Sequence, residues 1–240
     1  MVRCEAIRAG FHGADHVIAM LTQQSDGPIT GAQYARLDGK PFSKKAKTLN
    51  HRHSVDGWFF PLGRQATLAA HTIIKCEGPL DALSICGLLP EGWAAVSTLC
   101  GAGTWPKNDV AWLKGRNVFA IGDADNVGLK GAYKFADAKP NRGLKIRVLH
   151  LPFEITPDHG KDVRDWICEG ATFEDLETMI SQPESIKLPV DEAEKQVPPV
   201  SNNVFPLINA IPGAEGERPE PLSLSAISKR LNDSTGGWPK

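Results

Sequence analysis

A chain of 240 residues, 41% of them hydrophobic, can bury at least one substantial core with room for an appendage. A formal net charge of −1 excludes a global basic field, although the charge is uneven: nine Lys/Arg against five Asp/Glu in residues 1–70, and twelve against fifteen in 71–183. The five cysteines include no CxxC pair, which argues against a disulfide framework or zinc knuckle and for reduced thiols in a cytoplasmic protein, and no apolar run reaches the length of a membrane span.

Residues 1–70 read as short strands and turns. "ITGAQYARLDGKPFS" alternates apolar and polar residues and turns at Asp38-Gly39, and the aromatic "GWFFPLG" follows. A small β-rich subdomain is expected there. From His71 the rhythm changes. "TIIKC" predicts a buried strand and "PLDALSICGLL" a helix with Pro79 in its first turn. "WAAVST" predicts a second strand, "KNDVAWLKG" a short helix, "NVFAIGD" a third strand, "NVGLKGAYKFADA" a helix and "LKIRVLHL" a fourth strand. Such alternation predicts an α/β fold, with crossover helices flanking a mainly parallel four-stranded sheet. "DVRDWICEG" and "FEDLETMISQ" then read as helices. From about residue 187 prolines recur every few residues, which predicts an extended linker or tail.

Function in an open parallel sheet gathers beyond the carboxyl ends of the strands. The first strand ends at Glu77-Gly78 and the third at Asp123-Ala124-Asp125, while Asp162 and Asp165 follow the fourth. Carboxylates brought together repel, so they persist mainly where Mg²⁺ or Mn²⁺ compensates them, and these hard cations serve phosphate chemistry. Taken singly, a residue such as Glu77 is more often a solvated helix-start residue, and Asp123 could be a helix cap. An EF-hand loop fails because Val127 and Lys134 stand where it needs an acid or amide and a Glu. "GAGTWP" lacks the third glycine of a dinucleotide site, and no GxxxxGK[ST] occurs. "DADNV" fits the DxDx[TV] of haloacid-dehalogenase-type phosphatases, a reading that leaves Glu77 unexplained.

"CEGPLDALS" and "GDADNVG", whose acidic residues Glu77 and Asp123 lie 46 positions apart, together resemble the TOPRIM domain of topoisomerases, primases and certain nucleases. That pattern is EGxxDAL after the first strand and DxD…G after the third, and "GKDVRDWI" is similar to the KDxND segment of primase-like members. The resemblance covers about residues 71–170. The segment 1–70 looks like the small subdomain that precedes TOPRIM in phage and plasmid primases and primase-helicases. It implies a division into 1–70, a TOPRIM domain at 71–170, a C-terminal helix at 171–186 and a tail at 187–240. A topoisomerase would need a nucleophilic tyrosine on a further large domain, and the only tyrosines are Tyr34 and Tyr133.

The resemblance implies Mg²⁺- or Mn²⁺-dependent synthesis of short RNA primers from NTPs on a single-stranded DNA template during replication, with a replicative helicase as a possible partner and no membrane. Glu77, Asp123 and Asp125 would be catalytic and would hold metal with Asp162, Glu77 serving as ligand or general acid/base. Gly78 and Gly128 would let backbone approach the site, and Lys75, Lys130 and Lys161 would meet nucleotide phosphates. Arg36, Lys44, Lys45, Lys47 and Arg52 would contact template backbone without reading sequence. Two departures stand out: neither a Cys/His zinc ribbon nor a P-loop is present, which fits a fragment, a stand-alone TOPRIM protein or a degenerate relative. Arg164 also replaces the Asn of KDxND, which weakens the case for Asp162 and Asp165 as ligands. A TOPRIM nuclease, a DxD-type phosphoester hydrolase and a non-catalytic DNA-binding or replisome-docking module remain as alternatives.

Overall fold

The computed structural model describes residues 6–182 apart from positions 45, 100, 102 and 142. The expected tail from 187, and Lys45 of the basic run, lie outside the described residues. The front of the chain is an antiparallel sheet. β1 (Ile7–His12) turns through Gly13, at φ 61°, into β2 (Asp15–Gln23), whose other edge pairs with β3 (Ile29–Arg36). The short β4 (Thr48–Asn50) lies beside β3, and β5 (Trp58–Phe59) pairs with the end of β2.

Period-two alternation gives this sheet two distinct faces. Ile7, Ile18, Met20 and Ala35 turn inward to the main core. Ala19, Tyr34 and Leu49, which are register partners across β2, β3 and β4, take the opposite face.

The chain then runs through α1 (Arg64–Ala69), β6 (Thr72–Lys75), α2 (Pro79–Ile85), β7 (Trp93–Val96), β8 (Asn117–Ile121), α3 (Asn126–Asp137), β9 (Ile146–Leu149), α4 (Val163–Cys168) and α5 (Phe173–Ser181). The four strands form one parallel sheet in the order β7-β6-β8-β9. Both of its faces are covered, which is why "VFAIG" reads as an unbroken apolar run and why even Thr72 and Lys75 of "TIIKC" are buried. Ile74, Cys76, Phe119 and Ile121 pack with Ala82, Ile85, Val163, Trp166 and Leu176 from α2, α4 and α5. Ile73, Val118 and Ala120 pack on the other side with Phe135 of α3 and with Trp58, Trp105 and Leu113. The two sheets are tied where Phe59 exchanges backbone hydrogen bonds with Ser97, just past β7.

Two expected helices are shorter than the sequence pattern implies. "KNDVAWLKG" gives only a 3₁₀ turn at Ala111–Leu113, because the Asp109 carbonyl accepts the Trp58 indole N–H at 2.8 Å instead of a helical partner. α2 closes at Ile85, where Gly87 and Leu88 donate to Ser84 and Ile85 in tighter i→i+3 bonds. Among the described residues no helix is long and apolar enough to cross a membrane.

A candidate acidic active site

Register builds the site. Lys75 of β6 lies opposite Ala120 of β8, and both strands run the same way, so Glu77 and Asp123 emerge side by side two and three residues later. The Asp123 N–H donates to Glu77 Oε2 at 3.4 Å. Gly78 is the N-cap of α2, and the Asp81 carboxylate folds back to accept its N–H at 3.1 Å, which draws a third acid to the rim. Asp162 caps α4 by accepting the N–H groups of Arg164 and Asp165 at 2.8 and 3.0 Å. The Arg164 guanidinium then bridges two acids: it hydrogen-bonds Asp162 and lies 3.0 Å from Asp81 through Nε, an ion pair without hydrogen-bond geometry.

This crowding shapes the charges. Burial, joined by the neighbouring Glu77, Asp81, Asp162 and Asp125, pushes the Asp123 carboxyl up to about 8. Burial also raises Asp81 to about 6 against the downward pull of Arg164. Burial opposes the Arg164 charge, but the bond to Asp162 and the field of Asp81 outweigh it, and its pKa is raised.

These groups line a cavity of about 570 Å³. Glu77, Asp81, Asp123, Asp125, Asp162 and Arg164 come from the parallel-sheet half, and Gln33, Lys47 and Thr48 from the antiparallel sheet. The cleft is therefore shared between the two sheets.

Asp125 faces the cavity but has a structural task as well. It is the N-cap of α3, with Oδ1 accepting from Gly128 at 2.7 Å and Oδ2 from Gly160 at 3.0 Å, and only 7% of it is exposed. The Thr156–Lys161 loop wraps the DxD backbone through Thr156 N–H to Ala124 O, Ala124 N–H to Lys161 O and Asn126 N–H to Thr156 O. Contact is so close that a Cβ at Gly160 would stand 2.3 Å from the Ala124 carbonyl, and one at Gly128 2.5 Å from the Asp123 nitrogen. Removing a charge from a repulsive cluster would by itself be harmless at Asp125. Because asparagine offers one acceptor oxygen where two are used, Asp125→Asn is expected to destabilise the fold by about 1 kcal/mol, read as a lowered denaturant midpoint.

The remaining expected site residues distribute differently. Gly78 lines the cavity and Gly128 is buried beneath Asp123. Lys75 does not reach the cavity. The alternation that sends Ile73 to the α3 side takes Lys75 with it, so it is buried with Nζ 5.7 Å from the Phe135 ring centre, and burial lowers its pKa to about 8. Lys161 is half-exposed, paired with Glu169 at 2.6 Å and lying over Phe153. Lys130 is exposed on α3. Of the basic run, Lys47 reaches the cavity, Lys44 and Arg52 are exposed, and Arg36 is committed to Asp15 and Asp38 at 2.6 and 2.7 Å. Asp165 is exposed and serves the capping box of α4.

Sequence reasoning missed Asp81 as a rim group, although it is the Asp of EGxxDAL, and read Arg164 only as a departure. It also missed Gln33 and Thr48 across the cleft. No sequence signal marks those two, because their approach depends on how the sheets are joined.

The family model described as Toprim-like matches residues 74–167, from β6 through most of α4. Residues 74–167 form a Toprim-like domain. The rim described above lies within this domain, at the ends of its strands and the start of its helices. No curated protein sequence matches significantly. Among solved structures, a DNA primase domain from Pseudomonas aeruginosa is similar at 18% identity and a TM-score of 0.52, covering 76% of this chain and 57% of that one. A chain of the bacteriophage T7 assembly, in which lagging-strand DNA polymerase interacts with primase domains bound to an RNA/DNA hybrid and dTTP, is similar at 18% and 0.51, covering 72% and 82%. The DnaG primase catalytic domain bound to ssDNA follows at 15% and 0.50, covering 74% and 57%. At these identities the likeness is one of fold. The chain spans less than two thirds of the Pseudomonas and DnaG chains.

Proposed function

We propose that this chain is a primase-like nucleotidyltransferase that joins NTPs into short RNA primers on single-stranded DNA with Mg²⁺ or Mn²⁺. The observation that carries this reading is the pairing of Glu77 and Asp123 at adjacent strand ends, on the wall of a cleft whose other wall presents Lys47. A Toprim-like domain in a primase-type fold supports it.

The donor set suits such a metal. All the acids are hard oxygen donors, and among the described residues no His/Cys/Asp/Glu group of three is spaced as a ready-made cage. Mg²⁺ is commonly bound by one or two carboxylates, with water and substrate phosphates completing its shell. Glu77 and Asp123 would hold the ion, Asp162 would be an outlying candidate, and Asp125 would hold the DxD turn in shape as well as face the ion. When bound, the metal supplies charge compensation to the acids and Lewis acidity toward a phosphate.

The protein's own residues have separable tasks. Asp123, with its carboxyl raised by burial and like charges, is primed to lose its proton when a cation arrives. Arg164 keeps Asp81 and Asp162 paired and offers a positive edge toward a triphosphate in the cleft. Lys47 meets backbone or nucleotide phosphate from across the gap. Lys44 and Arg52 are suited to exposed template contacts, and Lys45 remains assigned to that group from sequence alone. Free thiols at Cys76, Cys86 and Cys168 suit the cytoplasmic setting this reading implies, and a replicative helicase is the protein partner it implies.

The test is to incubate the full chain with single-stranded template, NTPs and Mg²⁺. Oligoribonucleotides that vanish in Glu77→Gln are expected. Cleavage of the template without synthesis would favour the nuclease reading, and neither product would favour a docking module.

A further inference from the structure

The outer face of the antiparallel sheet carries a feature that the acidic site does not use. Five rings form a row: Phe42 to His12 at 5.6 Å between centroids, His12 to Tyr34 at 5.6 Å, Tyr34 to His51 at 6.3 Å and His51 to His53 at 6.1 Å. His12 and Tyr34 are stacked, with planes 27° apart, and the other contacts are T-shaped or edge-on. His12, His51 and His53 are exposed, while Tyr34 and Phe42 are half-buried.

The backbone fixes this row in place. Tyr34 pairs with Ala19 and Leu49 across the sheet, on the face turned away from Met20 and Ala35. The His51 N–H donates to Ala32 O at 2.8 Å, and the His53 N–H approaches His51 Nδ1 at 3.5 Å. The Phe42 N–H donates to Ala46 O at 2.8 Å, closing the turn that bears Lys44. Lys47 stands just before the edge strand β4 and lines the acidic cleft, whereas His51 stands just past its end. Arg52 stands between His51 and His53 in sequence and is exposed. A metal does not explain the histidines, since among the described residues no group of three ligands has metal-binding spacing.

Rings give π-faces that tolerate any base, and flanking cations give phosphate attraction; together they are the two parts of a single-strand binding surface. We propose that this row is a base-stacking platform for single-stranded nucleic acid, with Lys44, Lys47 and Arg52 along the strand's backbone, leading over the β4 edge toward the acidic cleft. It goes beyond the primase reading, because it assigns the bases, and not only the phosphates, a contact on the face away from the core.

Fluorescence anisotropy of the full chain in EDTA tests it, comparing a short oligothymidylate with an abasic strand of equal length. Wild type is expected to bind the base-bearing strand about tenfold more tightly or better. In His12→Ala/His51→Ala that preference should fall to within about twofold, with folding checked by circular dichroism. His53→Ala, at the exposed end of the row, should give a smaller loss in the same direction. Tyr34→Phe keeps the ring and should keep the preference. Lys44→Ala/Lys47→Ala should weaken both strands alike and flatten the salt slope by roughly 1.4, about 0.7 per phosphate contact on a single strand. Equal binding of the two strands by wild type, no binding of either, or an undiminished preference in the folded ring variants would overturn the proposal. EDTA separates this result from primer synthesis, so either reading can fail without the other.

Discussion

Asp123→Asn is expected to abolish primer synthesis, by about a hundredfold or more, while making the metal-free protein less sensitive to pH. The loss follows from position: Asp123 faces Glu77 at the end of the neighbouring strand, and no other acid of the rim is carried by β8 ahead of the capping Asp125. Losing a charge that organises a phosphate-activating ion removes several kcal/mol of transition-state stabilisation. The stability effect has the opposite sense. The Asp123 carboxyl, raised to about 8 in the fold and near its ordinary value when unfolded, binds its proton more tightly in the native state. Its contribution to stability is therefore full below pH 4 and is lost as pH rises through about 8. Asp81, raised to about 6, adds to the same trend. Melting in EDTA should show wild type more stable at pH 5 than at pH 8.5, and the gap should narrow in Asp123→Asn. An unchanged gap would mean that Asp123 is not the strained acid.

Gly128→Ala should be strongly destabilising. α3 begins directly against the DxD turn, and a Cβ at position 128 would lie 2.5 Å from the Asp123 nitrogen and 2.7 Å from its carbonyl oxygen. The obstacle is the Asp123 backbone, so no rotamer change relieves it. Overpacking of this kind costs typically 1–3 kcal/mol, and the upper end of about 3 kcal/mol applies here. For a folded unit of about 150–250 residues that lowers Tm by about 6–12 °C. Relief would come from sliding α3 away, which would move Asp123 relative to Glu77, so synthesis should fall with stability. A variant with wild-type Tm would show that the helix start and the acidic rim are not in such contact.

The paired acids were legible because they rest on local signals. Two buried strands ended in Glu-Gly and Asp-Ala-Asp, and parallel pairing of those strands was enough to bring Glu77 to Asp123. The flanking helices and the strand order's parallel sense followed from the same alternation. What local pattern does not encode is which atoms are already taken. Asp125 looked like an open ligand, yet its second oxygen serves the Gly160 N–H, 35 residues away. Lys75 seemed poised for phosphate from its place beside Glu77, but a residue at the end of a buried strand follows that strand's alternation, here toward Phe135. Arg164 looked only like a departure from KDxND, and its partner Asp81 sits on a different helix. The ring row needed the β1-β2-β3-β4 order, which brings His12, Tyr34 and His51 together from three separate stretches of the chain.

Binding of Mn²⁺ by electron paramagnetic resonance, in the presence of an NTP, tests the acidic rim most directly. Wild type should take up the ion, and Asp123→Asn and Glu77→Gln should each weaken that uptake by about tenfold or more while retaining a native circular dichroism spectrum. Equal uptake by all three proteins, or none by wild type, would contradict a metal-dependent phosphoryl-transfer centre at the ends of β6 and β8.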